Sequence, residues 1–457
     1  MKKLKEITIE KLIIIYILIQ PLLDVATSLC LEYISPYLTL GILIRTMFMG
    51  LVIIYSLFKA DKKNRIRSLI YYGLVGIYMC IFLFVSYSQN GTNMILAQIK
   101  GLIRAFYLPL VLVALYSLFN SKTIKIDNKY FIWTLAEYVL IMLIAKIAGI
   151  AYPTYKYGLN HGTVGLFYAA NETGAIISIL SPLLAIELLK DKKINIINIL
   201  TLILLIFSVL EMGTKVPFLA FIILYVLFFI ICLIKIFIQK NKKIYIIKNV
   251  CILIIGIIIL FILPYTPVGK NIEANYGIKL IQICKTPSAK QPGLDLEEPI
   301  DIEEPIDIEK PIDIEVTTIV SGRNELFKKN LERYMKSSAT EKIFGNGYLT
   351  YKDHELQINK LVEIDYFDIL FSHGIVGTII LFIPLIYMLL TVIIKTLKHF
   401  ILVLKDEELF LYLYIIGIGL GIALAAGHVL TAPAVSIYMI LILLNLDANL
   451  KKLEVNN

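Results

Sequence analysis

A handful of polar sites in an otherwise apolar chain carry residues that can do chemistry. Lys100 and Arg104, in QIKGLIRAFYLPLVL, stand four apart and so share one helix face. Two cations at this spacing repel each other, which favours a shared anionic partner; the competing reading is two side chains snorkelling to a membrane surface. Lys215, in EMGTKVPF, sits just before Pro217. There a compact cation and the free N–H groups of a helix start together suit a phosphate. It can equally be a simple exception to charge topology, and Glu211, one turn earlier, can pair with it. Asn171 and Glu172, in GLFYAANETGAIIS, suit either a sugar cavity or a helix-packing hydrogen bond. Glu363, Asp365 and Asp368, in VEIDYFDILFSHGIVG, are interfacial carboxylates that solvent can satisfy. Beside Arg323 and Lys215 they can instead supply a general base. Glu363 and Asp365 diverge on a regular helix and face one site only from a distorted turn.

Other polar residues weigh less. A charge inside a membrane span costs on the order of 3 kcal/mol, so each needs a partner or a task. Asp24, one turn after Gln20-Pro21, suggests a kinked helix lining water, with a buried pair to Arg45 as the preferred alternative. His354 and His373 are weaker candidates, since a lone histidine is more often structural or exposed. No Cys/His cluster suggests zinc, and Cys284 stands alone in the largest polar segment. Neither a metal nor a cofactor is expected.

The elements that must position these groups are membrane helices. The chain has 457 residues, 58% of them hydrophobic and only 17% charged, with a mean hydropathy of +0.79. No soluble protein of this size carries so much apolar surface, so the lipid bilayer is the solvent. The net charge of +9 lies in short loops, where lysine sets topology, and is no sign of nucleic acid. Twelve spans of about 20 residues are expected. They run near 12–31, 38–58, 68–86, 95–119, 130–150, 165–189, 196–212, 216–238, 246–263, 369–394, 408–426 and 433–447. The first is too long and lacks a small-residue cleavage site, so it reads as a retained helix.

Lysine and arginine alternate strictly between the two sides. Both termini are expected in the cytoplasm, with Lys156 and Lys215 the only cations in the short outer loops. The order is then a bundle over 1–263, an extracytoplasmic loop over 264–362, spans ten to twelve over 363–447 and a cytoplasmic tail over 448–457. The loop contains LDLEEPIDIEEPIDIEKPIDIE, a six-residue unit repeated three times across 295–315. Ten carboxylates against one lysine, with proline every sixth residue, describe a self-repelling spacer. Calcium binding is the lesser alternative, because the unit lacks the glycine and the oxygen spacing of a calcium loop. The segment 321–362 differs. Leu326, Phe327, Leu331, Tyr334 and Met335 recur at helical spacing after Ser321, a plausible N-cap. This predicts an amphipathic helix lying on the bundle, with Arg323 in its first turn. A second short helix is expected over 358–368.

Four stretches together resemble the O-antigen ligase / Wzy polymerase superfamily, enzymes of the GT-C type acting on lipid-linked glycans. GLFYAANETGAIISILSPLLAI resembles the family's asparagine-bearing span, and GTKVPFLAF its T-x-S-R-G segment. SGRNELFKKNLERYMKSSATEKIFGNGY resembles its S-G-R helix and G-x-G turn, and EIDYFDILFSHGIVGTIILF the segment opening the next span. Their order, spacing and membrane side are more specific than any one alone. Lysine stands at 215 where the family often has arginine, and Glu363 where many ligases have histidine. The E-x-D-Y-F-D form is closer to Gram-positive capsular or exopolysaccharide polymerases.

The resemblance implies an all-α polytopic membrane protein with a GT-C-like bundle. It implies repeat-unit polymerisation, in which a polyprenyl-pyrophosphate-linked oligosaccharide is the donor and a growing polysaccharide the acceptor. Arg323 and Lys215 would hold the pyrophosphate, and Lys100 and Arg104 would guide the lipid phosphates or line the same cavity. Glu363 or Asp365 would deprotonate the acceptor hydroxyl, which attacks the anomeric carbon with inversion and without a metal. Asn171 and Glu172 would line the sugar cavity. A flippase and a chain-length regulator are candidate partners. The alternatives are a ligase with the same donor and another acceptor, and a lipid-linked oligosaccharide flippase. The latter sits less well with one large loop, no internal repeat and cations near one surface.

Overall fold

A computed structural model describes residues 8–34, 39–90, 95–121, 124, 126–155, 160–190, 195–238, 242–276, 323–352, 355–358 and 362–456. The acidic repeat, Cys284, Ser321 and His354 lie outside the described residues. The protein is an all-α polytopic membrane protein. Helices dominate because lipid offers backbone groups no hydrogen bonds, so each span satisfies its own.

Helices α1 (Ile9–Leu18) and α2 (Gln20–Tyr33) form one span bent by 50° at the break before Pro21. There follow α3 (Leu40–Lys59), α4 (Lys62–Asn90), α5 (Ile95–Ser121), α6 (Asn128–Ile147), α7 (Ala170–Lys190), α8 (Ile196–Met212), α9 (Lys215–Ile238) and α10 (Lys242–Ile262). After the short α11 (Pro267–Tyr276) come α12 (Arg323–Lys336) and α13 (Ala339–Phe344). The chain closes with α14 (Asp365–Lys398), α15 (Phe400–Lys405), α16 (Glu407–Ala425) and α17 (Pro433–Asn456). Among the described residues ten helices are long and apolar enough to cross a membrane, eleven with the bent pair; α8, with 17 residues, falls just short. Helices α5, α7 and α17 are the most enveloped, whereas α9 and α10 are largely exposed, as lipid-facing helices should be.

Several boundaries differ from expectation. The sixth span starts at Ala170, not 165, because 160–169 form a loop with an isolated bridge between Pro153 and Thr163. Residues 448–456, the segment expected as the tail, continue α17. An antiparallel hairpin of β1 (Leu349–Lys352) and β2 (Glu355–Ile358) precedes the expected short helix over 358–368, of which only 365–368 are helical among the described residues, as the first turn of α14. The amphipathic helix is present as α12. Phe327 and Tyr334 pack against Val362, Phe367 and Phe371, while Leu331 and Met335 face outward.

The peripheral segment is keyed into the bundle by its glycine turn. Gly374 breaks α14 with φ 64° and ψ −173°, and a Cβ there would fall 2.5 Å from the Gly345 amide nitrogen. Only the absence of both side chains lets the two backbones meet. The next residues reach α5: Tyr348 N–H donates to Gln98 Oε1 at 3.0 Å, and its ring lies over Gly101. The Tyr348 hydroxyl bonds His373 Nε2 at 2.5 Å, and Tyr78 reaches His373 Nδ1 at 3.2 Å. Buried His373 thus ties α4, α14 and the loop together.

Candidate functional site

At one end of the bundle the first turn of α7 joins two groups of charges. On one side, Arg323 opens α12 and places Nη2 2.7 Å from Glu363 Oε2. Its Nη1 donates to the Ala425 carbonyl at 3.3 Å. Asn171 Nδ2 donates to the same Glu363 oxygen at 3.4 Å. On the other side, Glu172 lies 3.6 Å from Arg104 and 3.9 Å from His428 Nδ1. Arg104, Lys100, Glu172 and His428 line a cavity of about 310 Å³. Its deeper wall is polar. Asp24 pairs with Arg45, whose Nε donates to Gln20 at 3.0 Å, and Tyr138 donates to Asp24. The expected Asp24–Arg45 pair is thus formed, and the bend at Pro21 accompanies it.

Three carboxylates near the start of α14 have different tasks. Asp365 is buried and accepts from His428, Val429 and Leu430 N–H groups at 2.9, 2.8 and 2.7 Å, and from the Thr431 hydroxyl at 2.7 Å. Asp368, also buried, accepts from Val362 and Ile364 N–H groups at 2.7 and 3.2 Å. These two hold the loops on either side. Glu363 lies between, with its side chain 38% exposed. Its carboxylate meets the side chains of Arg323 and Asn171. The distorted turn required by the spacing exists: Glu363 has φ 64°. His428 has φ 60°, and these are the only two non-glycine residues with positive φ among the described residues. Such backbone strain persists only where surrounding contacts hold it, and it clusters at functional sites. The two strained residues belong to one contact, since a Cβ on Gly427 would fall 2.9 Å from the Glu363 carbonyl carbon.

Lys215 is the first residue of α9, after the left-handed Gly213 that ends α8. It is not among the residues lining the cavity. Tyr155 connects it to the rest: its hydroxyl donates to the Gly213 carbonyl at 3.3 Å. Burial pushes that hydroxyl's pKa up, and the nearby Arg323 charge opposes the rise. Glu211, expected beside Lys215, pairs instead with Lys146 at 2.6 Å and accepts from Thr163 at 2.8 Å. It thereby ties α8 to α6 and to the 160–169 loop.

The structure therefore brings Arg323, Glu363, Asn171, Glu172, Arg104 and Lys100 to one end of the bundle, leaves Lys215 outside the cavity lining and turns Asp365 into an anchor. Sequence reasoning missed His428, Tyr155 and Asn271. Buried Asn271, on α11, receives the His161 N–H at 2.7 Å and donates to the His161 and Gly213 carbonyls at 2.7 and 2.9 Å. It fixes the turn that leads to Lys215. The only signal for it was an asparagine in a polar turn after a span. Three buried polar atoms here have no hydrogen-bond partner among the described residues: Arg323 Nε, Thr214 Oγ1 and His428 Nδ1. Buried polar groups normally find partners, and of these three His428 Nδ1 belongs to a residue lining the cavity, where a bound ligand can satisfy it. The arrangement can hold an anion and keep one carboxylate within its reach. Among the described residues no group of three or more His, Cys, Asp or Glu is arranged to hold a metal ion.

A family model described as "O-antigen ligase like membrane protein" matches residues 6–453. No curated protein matches the chain.

Proposed function

We propose, because the chain belongs to the O-antigen ligase like family of membrane proteins, that it is a repeat-unit polymerase of a surface polysaccharide. Family membership supports a membrane protein that transfers glycan; the polymerase activity is our reading. The donor is a polyprenyl-pyrophosphate-linked oligosaccharide and the acceptor the growing glycan. The observation that carries it is the Arg323–Glu363 pair beside Arg104 and Lys100, with unpaired polar atoms around it.

Arg323, Arg104, Lys100 and Lys215 surround the position proposed for the diphosphate. The Arg323 guanidinium offers it a forked, charge-assisted pair of hydrogen bonds, which strengthens as negative charge develops on the leaving group, while Arg104 and the lysines hold it alike before and during transfer. At rest Arg323 holds Glu363 in an ion pair, and a paired carboxylate is a poor base. A diphosphate that takes Arg323 releases Glu363. Donor binding thereby arms the base. The freed carboxylate accepts the proton of the acceptor hydroxyl as that oxygen bonds to the anomeric carbon. The bond from that carbon to the phosphate oxygen breaks, and polyprenyl pyrophosphate leaves. One displacement of this kind inverts the anomeric centre. Asn171, bonded to Glu363, and Glu172 face the bound sugar.

The lysine distribution supports placing this end outside and both termini in the cytoplasm. The opposite end is bound by ion pairs, including Lys395 to Asp447 and Lys235 to Glu407, both at 2.5 Å. A ligase would share the donor half of this mechanism and differ in acceptor. Purified protein in liposomes with lipid-linked oligosaccharide tests the reading. A ladder of lengthened glycans is expected. Transfer of one unit to a lipid or protein acceptor without lengthening would make it a ligase. Movement of donor across the bilayer without transfer would overturn the enzymatic reading.

A further inference from the structure

At the other end of the bundle a second cavity, of about 370 Å³, lies between α4, α5 and α14. It is remote from the glycan site. Tyr116, on its rim, is twelve residues along α5 from Arg104, about 18 Å at helical rise. Its shape follows from how α4 and α14 meet. Near the glycan site they touch closely, because Gly377 has no side chain to strike the Tyr78 hydroxyl. One turn on, the Tyr71 hydroxyl donates to the Ile380 carbonyl at 3.0 Å. Beyond that contact Pro384 enters α14, and the slot opens over a floor of α5.

The floor is apolar, with Leu112 and Val113, and is sealed by a buried bond of 2.7 Å between the Ser68 and Ser117 hydroxyls. Ile383 and Met388 form the α14 wall. The rim is polar and cationic. It carries Arg67, Asn64 and the hydroxyls of Tyr116 and Tyr387, 3.5 Å apart. Arg67 is exposed and has no ion pair among the described residues. Lys451, 5.6 Å from the Tyr116 ring centre, lies outside the lining and is paired with Asp447 at 2.6 Å, so Arg67 supplies the charge of the rim. Helix α4 has 29 residues, about 43 Å, against about 30 Å of hydrocarbon. Its first turns therefore reach the headgroup layer, and Arg67 stands at phosphate depth. Tyrosine hydroxyls favour the same layer.

We infer that this slot binds an anionic phospholipid of the leaflet opposite the glycan site, with one acyl chain along Val113 and its phosphate on Arg67. The charge of the rim selects an anionic headgroup over a zwitterionic one, and the apolar floor selects a lipid over free phosphate. The inference does not depend on the proposed glycan chemistry.

The full-length protein, purified in detergent, is mixed with phosphatidylglycerol or phosphatidylcholine of matched chains, and bound lipid is counted by native mass spectrometry. Wild-type protein should retain phosphatidylglycerol about fivefold better. Arg67→Gln should bring that ratio close to one, and Arg67→Lys should keep most of it. Val113→Phe, which fills the slot, should lower retention of both lipids; if it does not fold, the Arg67 variants carry the test. Millimolar inorganic phosphate should not displace the lipid. Equal retention of the two lipids by wild-type protein, an unchanged ratio in Arg67→Gln, or full displacement by phosphate would overturn the proposal. So would a protein dimer covering the slot, seen as a doubled mass that Val113→Phe abolishes.

Discussion

Arg323 Nη2 lies 2.7 Å from Glu363 Oε2, so the first residue of a peripheral helix is bonded to the turn that enters α14. Asn171, on α7, donates to the same oxygen. Three chain segments far apart in sequence thus meet at one carboxylate.

The neighbouring acids should separate by phenotype. Glu363→Gln removes the proton acceptor and should lower turnover by about 10²- to 10⁴-fold, with the thermal midpoint little changed. Asp365→Asn weakens four hydrogen bonds to the 428–431 turn. It should instead cost about 2–3 kcal/mol of stability and lower the midpoint. Turnover and thermal unfolding, measured on both variants in the same detergent, check the distinction. A wild-type rate for Glu363→Gln would remove it from the mechanism.

Arg104 lines the cavity next to Glu172, away from the proposed base. An interaction with the diphosphate that is equal in ground and transition states changes KM alone. Arg104→Ala should therefore raise the donor KM about tenfold and leave kcat nearly constant. Steady-state kinetics over a donor series decides it, and a kcat effect as large as the KM effect would place Arg104 at the reacting centre.

Asn271 never touches the cavity yet ties the Gly213 turn to His161. Asn271→Ala should let Lys215 drift and reduce kcat on the order of 10- to 100-fold in correctly inserted protein. Asn271→Asp keeps the acceptor for His161 N–H and loses both donors, so it should not restore the rate. A normal rate in both variants would show that the turn needs no pin.

Gly101 admits the Tyr348 ring, and a Cβ there would fall 2.1 Å from it. Gly101→Ala should lift the 345–348 turn and speed proteolysis of the hairpin. Adding Tyr348→Ala should relieve the clash and restore protection toward that of Tyr348→Ala alone. Limited proteolysis of the three variants reads this out.

The spans were legible because a bilayer enforces one rule on every residue within it. The candidate cations were legible because charge is costly there and its presence demands a reason. What stayed hidden depends on distant partners. Asp365 is an anchor only because the 428–431 turn comes to it, and Glu211 faces Lys146 only because α8 packs on α6. The hairpin at 349–358 had no signal in the sequence, and the left-handed turn at Glu363 rests on two amides held by Asp368. No periodicity encodes such contacts.

The most direct test of the account is Arg323→Lys in protein reconstituted with its lipid-linked donor. The substitution keeps the charge and removes the fork. Release of polyprenyl pyrophosphate in a single turnover should fall by about 10²- to 10³-fold, the scale of losing one preorganised charge-stabilising group. Release at the wild-type rate would contradict the claim that Arg323 grips the diphosphate and frees Glu363.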